Sequence, residues 1–284
     1  MDKNKISIQL DEKTLPTTRK EQFFDILKHQ LGTLFSVGGL LLAFSILLFA
    51  SLVVKEVLIN NVVINVNMKE HPDQVYEMVK MLTLIFDAVN IVAIAFLFIG
   101  LAGAYKVIKK LIFMEKVFIF RDFKQGIKEN WGQFLIISFF FSIVLLIFDL
   151  FSVQSGNMSN EMTTVAWVLM GIFSFTIFPI FLLSMSSIAT YKNKFSDNLK
   201  NSFYICAKHY LYCLIFAVIF AAIWIGLFFL YVYANSSVIY TGVIAFIIFI
   251  LLPLYLLASF LFNFSLFDLH INSNYPEIYN KGIR

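Results

Sequence analysis

Residues 31–54 read Leu31-Gly-Thr-Leu-Phe-Ser-Val-Gly-Gly-Leu-Leu-Leu-Ala-Phe-Ser-Ile-Leu-Leu-Phe-Ala-Ser-Leu-Val-Val54. The stretch carries no charge and outlasts the roughly 20 apolar residues that a helix needs to cross a hydrocarbon core at about 1.5 Å per residue. Its apolar residues run on without alternating, which predicts a spanning helix and excludes a barrel strand. Five further stretches read the same way, at residues 81–105, 134–153, 165–189, 210–233 and 239–264. The expected fold class is all-α: a polytopic membrane protein of six transmembrane helices.

Composition agrees. Hydrophobic residues make up 60% of the 284-residue chain against 14% charged, with a mean hydropathy of +0.81. A soluble domain is about half apolar and a quarter charged, so this chain lacks the polar surface to cover a water-facing globule. A disordered protein, a disulfide-rich secreted domain and an ordinary cytosolic enzyme are excluded. The two cysteines offer no disulfide framework. The 34 phenylalanines read as lipid-facing packing.

The basic residues set the orientation. Nineteen of the 22 Lys and Arg fall in residues 1–30, 106–133, 190–209 and 265–284, and the other three in residues 55–80. Positive charge accumulates on the cytoplasmic side, so both termini are expected there, in a plasma or inner cell membrane. The net charge of +4 is accordingly a topology signal with no nucleic-acid partner implied. Residues 1–30 read as a cytoplasmic tail leading to the first span, 31–264 as the membrane domain and 265–284 as a cytoplasmic tail.

Two cytoplasmic loops show helical periodicity. Phe120, Phe123, Ile127 and Trp131 recur with Arg121, Lys124 and Lys128 between them, and Phe195, Leu199, Phe203 and Ala207 repeat the pattern. Both predict amphipathic helices at the interface, running into spans three and five. The segments Phe123-Lys-Gln-Gly-Ile127 and Leu199-Lys-Asn-Ser-Phe203 share a loose pattern, as parallel repeats would. The outer segment 55–80 alternates like a strand over Asn61-Val-Val-Ile-Asn-Val-Asn67. A small external cap and an open connector are both compatible with it.

Two carboxylates fall inside the spans, Asp87 and Asp149, about 9 Å and 6 Å from the outer ends at helical rise. An intramembrane carboxylate is costly and marks a functional site by default. One reading is an outward-opening cation or proton site made with Asn90. The other is an interfacial helix contact in which each acid pairs with Lys55 or Lys80. Cys206, His209 and Cys213 share a helical face, but about 10.5 Å of helix axis separates the cysteines, too far for one metal. No metal or cofactor is expected. Pro179 and Pro253 lie inside spans four and six and free backbone carbonyls there. Gly100-x-x-x-Ala104, Ala217-x-x-x-Ala221 and Ala222-x-x-x-Gly226 predict close helix contacts, within the bundle or in a homo-oligomer. No phosphate loop, nucleophile elbow, metalloprotease helix or dinucleotide fingerprint occurs, and the loops are too short for a catalytic domain. An enzyme is not expected.

Gly100-Leu-Ala-Gly-Ala-Tyr-Lys-Val-Ile-Lys-Lys110 closes span two, and Glu115-Lys-Val-Phe-Ile-Phe-Arg-Asp-Phe-Lys-Gln-Gly-Ile-Lys-Glu-Asn-Trp131 follows it. Together they resemble the YesL-like family of bacterial membrane proteins, with its Gly-x-x-Ala-x-Tyr span end, basic stretch and Phe-rich interfacial helix. Phe23-Phe-Asp-Ile-Leu27 with Leu31-Gly32 resembles that family's entry into span one. Segment 55–80 departs from the pattern, being longer than the family's usual connection. The resemblance implies a non-catalytic accessory or scaffold protein associated with oligosaccharide uptake, with ABC importer subunits as partners. The working surfaces expected here are the basic segments Lys106–Lys128 and Lys192–Lys208, with Lys109, Lys110, Arg121 and Lys124 meeting lipid or a partner and Trp131, Phe123 and Phe203 anchoring at the interface. The rival is a stand-alone small-solute or ion transporter or channel working through Asp87, Asn90 and Asp149.

Overall fold

The structure, a computed structural model, describes residues 15–65, 72–154, 164–165, 168–169, 171–234 and 237–283. It is all-α, in the order α1 (Arg19–Asn65), α2 (Pro72–Ile112), α3 (Ile119–Gln154), α4 (Phe178–Thr190), α5 (Phe195–Lys208), α6 (Tyr210–Ala234), α7 (Ser237–Phe246) and α8 (Leu252–His270). Among the described residues four stretches are long and apolar enough to span a bilayer: Arg19–Ile59, Asp73–Ile112, Ile119–Ile147 and Gly242–His270. A fifth arises if Phe195–Lys208 and Tyr210–Ile219, bent by 101°, form one broken span. The chain is therefore a multi-pass helical membrane protein.

The helices overrun the apolar stretches that start them. A formed helix extends cheaply because each added residue gains a hydrogen bond without a new nucleus. α1 thus begins at Arg19, passes a non-helical Gln30 (φ −128°, ψ 19°) and continues to Asn65. Asn61–Asn65, where the alternation suggested a strand, is helical, because propagation from the membrane helix overrides the local β preference; residues 66–71 lie outside the described ones. α2 starts on Pro72, a residue suited to a helix's first position, with Asp73 beside it. α3 is unbroken from Ile119, so the first of the two amphipathic segments is the straight beginning of a span and makes no separate elbow. The second segment, α5, does bend sharply into α6.

The π turns Phe173–Ile177 and Ile247–Leu251 lead into α4 and α8, each just before a proline. Pro179 and Pro253 have no N–H to give the carbonyls four residues back, those of Phe175 and Phe249. Tyr210 Oη donates to the Phe175 carbonyl at 2.9 Å. The Phe249 carbonyl lies against Gly38 of α1, so closely that a Cβ there would stand 2.0 Å from its oxygen. Both carbonyls are thus spent on packing. Gly126 of α3 seats on α2 in the same way, where a Cβ would meet Lys106 Cβ at 2.5 Å. The Gly100 stripe works inside the bundle, against Phe44 of α1.

The core is aromatic. Tyr105, Phe134, Phe260, Phe264 and Phe267 are fully buried, with Tyr105 in ring contact with Phe134 and Phe260. Within it Asn263 Nδ2 donates to Ser186 Oγ at 2.8 Å, joining α8 to α4 by polar groups that lipid would leave unsatisfied. Gly38→Ala is expected to lower thermal stability in detergent by about 1–3 kcal/mol, the cost of forcing a close contact apart. Gly32→Ala, on the same helix with nothing within 4 Å, should leave stability unchanged or raise it, since alanine is the better helix former. Thermal unfolding of the two variants side by side checks this.

Candidate functional site

The first candidate is a polar contact between α1 and α2. Lys55 Nζ stands 3.6 Å from Asp87 Oδ1, with Asp87 only 4% exposed. One turn along, Ser51 Oγ donates to Asn90 Oδ1 at 2.5 Å. Structure therefore joins Asp87 and Asn90 to one helix seam and supplies the acid with the lysine partner that sequence named for it. The side chain of Asp149 lies outside the described residues.

At the other end, segments that are distant in sequence converge. Gln22 Nε2 donates to the carbonyls of Ile112 and Gly282 at 2.6 and 2.9 Å. Arg19 Nη2 meets Asp268 Oδ2 at 2.6 Å, tying the first helix to the last. Asn272 and the Asn280 N–H donate to Asp268 Oδ1, and Lys281 pairs with Glu115 at 3.1 Å. Tyr191 Oη donates to Asn272 Oδ1 at 2.5 Å. Burial, followed by the nearby Asp268 charge, pushes the Tyr191 phenol up, so it stays a neutral donor. The C-terminal residues that read as a solvated tail are thus a clasp. The N-terminal helix, the α2–α3 turn, the α4–α5 turn and the clasp all meet at one end of the bundle.

The basic residues singled out from sequence divide into two groups there. Lys109 Nζ donates to the carbonyls of Ala189 and Thr190, both at 3.0 Å, capping the end of α4. Lys110 Nζ lies 2.9 Å from Asp122 Oδ1, a carboxylate with no exposure that also accepts the Phe118 N–H at 2.7 Å. These two lysines are committed inside the protein. Arg121 and Lys124 are exposed, as are Lys116 and Lys128. The Arg121 guanidinium sits 4.0 Å above the Phe118 ring, with Lys116 at 5.1 Å from the same ring. Phe120 is 77% exposed and Trp131 51%. One face of α3 therefore presents Phe120, Arg121, Lys124, Lys128 and Trp131 outward.

α5 buries Asn198 and Ser202 together with Ile205 and Cys206, and leaves Asp197, Lys200 and Lys208 exposed. Asn198 is buried, accepting from Ser187 Oγ at 2.9 Å and donating to Gln133 Oε1 at 3.1 Å, which links α5 to α4 and α3. Phe203 and Tyr204 face out, each 61% exposed. The bend after Lys208 also changes the cysteine geometry. Cys206 and Cys213, both buried, lie on either side of it. Among the described residues no group of three or more His, Cys, Asp or Glu side chains is disposed to hold a metal ion.

Sequence reading missed Arg19, Gln22, Asp268 and Asn272. Asp268 alone carried a signal, as an acid placed straight after an apolar span among basic segments. Comparison with protein-family models, with curated proteins and with solved structures finds no match to this chain.

Removing one partner of a buried ion pair leaves an uncompensated charge, at about 3–5 kcal/mol, whereas replacing both with apolar groups is often near neutral. Lys55→Met is accordingly expected to destabilise the protein strongly, and the added change Asp87→Leu to recover most of the loss. Unfolding measurements on the two variants in the same detergent test this.

Proposed function

We propose that the chain is a six-helix membrane scaffold with no catalytic role, serving as an accessory subunit of an oligosaccharide uptake system. In this reading Phe175–Thr190 and Tyr210–Ala234 cross the bilayer alongside the long spans. An even number of crossings fits the meeting of both chain ends at one end of the bundle. The 19-to-3 division of basic residues supports a cytoplasmic position for that end. α5, with Phe203, Tyr204, Lys200 and Lys208 outward, is read as an interfacial helix.

The observation that carries the scaffold reading is the division of the basic residues. Lys109, Lys110 and Arg19 are spent on internal carbonyls and carboxylates. The α3 face of Phe120, Arg121, Lys124, Lys128 and Trp131 is left facing outward. Aromatic and arginine side chains dominate the energetics of protein interfaces, and four cations nearby suit an acidic cytoplasmic patch on a permease subunit. The oligosaccharide substrate rests on the resemblance to the YesL-like family. Pairing of Asp87 with Lys55 speaks against the rival transporter, because a carboxylate held by a lysine is a poor site for a passing cation.

Affinity purification in mild detergent from native membranes, with mass spectrometry, tests the proposal. Permease or ATPase subunits should co-purify. Reversal of Arg121 and Lys124 to Glu should lower their yield several-fold, with topology verified by loop labelling, while reversal at Lys109 and Lys110 should impair folding itself. A clean homo-oligomer without partners would refute the accessory role.

A further inference from the structure

The elbow between α5 and α6 carries two imidazoles that the docking face does not use. His209 is the residue at the break, with φ −122° and ψ 34°, and its N–H closes α5 on the Ile205 carbonyl at 3.0 Å. His270 ends α8. Their Nε2 atoms are 2.6 Å apart and the ring centroids 4.8 Å. Facing the pair are Lys208 and Tyr204 from α5 and Tyr212 from α6. Asp268, two residues back on α8, is held by Arg19.

We propose that His209 and His270 form a proton-binding latch that holds the elbow to the end of the last span and releases it when both imidazoles are protonated. This goes beyond the scaffold reading and does not depend on it. An Nε2-to-Nε2 contact of this length requires one hydrogen between two nitrogens. With both rings neutral, one carries its hydrogen on Nε2 and the other on Nδ1, and the bridge forms. One added proton leaves the bridge in place and makes it charge-assisted. A second added proton puts hydrogens on both Nε2 atoms. Neither nitrogen then has a lone pair to accept, and two like charges meet at contact distance, with the Lys208 ammonium beside them. The latch is therefore present at neutral pH and lost as the pH falls.

His209 is well placed to convert that loss into movement. Its backbone is already non-helical, so α5 and α6 can change angle there without breaking a continuous helix. The far end of α5 stays fixed by Asn198 on Ser187 and Gln133. Release thus frees the elbow and leaves the start of α5 seated.

Hydrogen–deuterium exchange of the full-length protein in lipid nanodiscs tests the latch, run at about pH 7.5 and about pH 4, because the releasing proton is added against the charge of the first and of Lys208 and so binds below the ordinary imidazole value near 6.5. Labelling times are scaled for the intrinsic pH dependence of amide exchange. Peptides covering residues 203–216 should exchange about tenfold faster at the lower pH, the factor carried by one unit of differential protonation. Peptides from residues 93–112 should keep their protection. His270→Gln keeps a donor and an acceptor but cannot take up a proton, and it should hold the elbow protected at both pH values. His209→Gln should do the same. Equal elbow protection of the wild type at both pH values would overturn the latch. So would loss of protection in the glutamine variants to the same extent as in the wild type, or a loss that spreads equally to residues 93–112.

Discussion

Lipid tails neither donate nor accept hydrogen bonds, so a polar group brought into or beside the hydrocarbon must find its partner within the protein. The arrangement of this bundle follows from that requirement. Pro179 and Pro253 leave the Phe175 and Phe249 carbonyls without their usual donors, and Tyr210 and the bare backbone of Gly38 are brought to them. The open carbonyls at the end of α4 receive Lys109, and buried Asp122 receives Lys110. The same need turns the C-terminal residues back onto the first helix, where Arg19, Gln22 and Asp268 join elements at the two extremes of the chain.

Much of this was legible from sequence because burial in lipid leaves a simple mark. Continuous apolar runs marked the four stretches that are long enough to span, and the concentration of Lys and Arg matched the segments that the structure gathers at one end. For Asp87 the sequence left two lysines open, Lys55 and Lys80, and the structure places Lys55 beside it. What stayed hidden depends on angles and on partners far apart in sequence. Cys206 and Cys213 were read along one straight axis, whereas the 101° bend after Lys208 puts them on two helix segments. Asn61–Asn65 looked like a strand because alternation is a local signal, whereas helix propagation from a membrane span is not. Asp268 and Asn272 looked like tail residues because nothing in their neighbourhood names Arg19 or Tyr191.

The basic segments show most clearly why charge counting cannot identify a working surface. A lysine that caps a helix and a lysine that faces a partner weigh equally in a topology rule. Structure separates them by the atoms they touch, and leaves Phe120, Lys124, Lys128 and Trp131 on the exposed face of α3 beside Arg121, which also stands 3.6 Å from buried Asp122. The docking proposal stands on that separation. The elbow stands apart from it, seated by Asn198, by buried Ile205, Cys206 and Cys213 and by Tyr210 on the Phe175 carbonyl, with the two histidines tying it to the end of α8.

The most direct test of the docking face is site-specific photocrosslinking in native membranes, with a photoreactive residue at Phe120 and, as an internal control, at buried Phe134. The account predicts a discrete adduct of higher mass from Phe120, containing a second and different polypeptide, with none from Phe134. Adducts from Phe120 to lipid alone would contradict it.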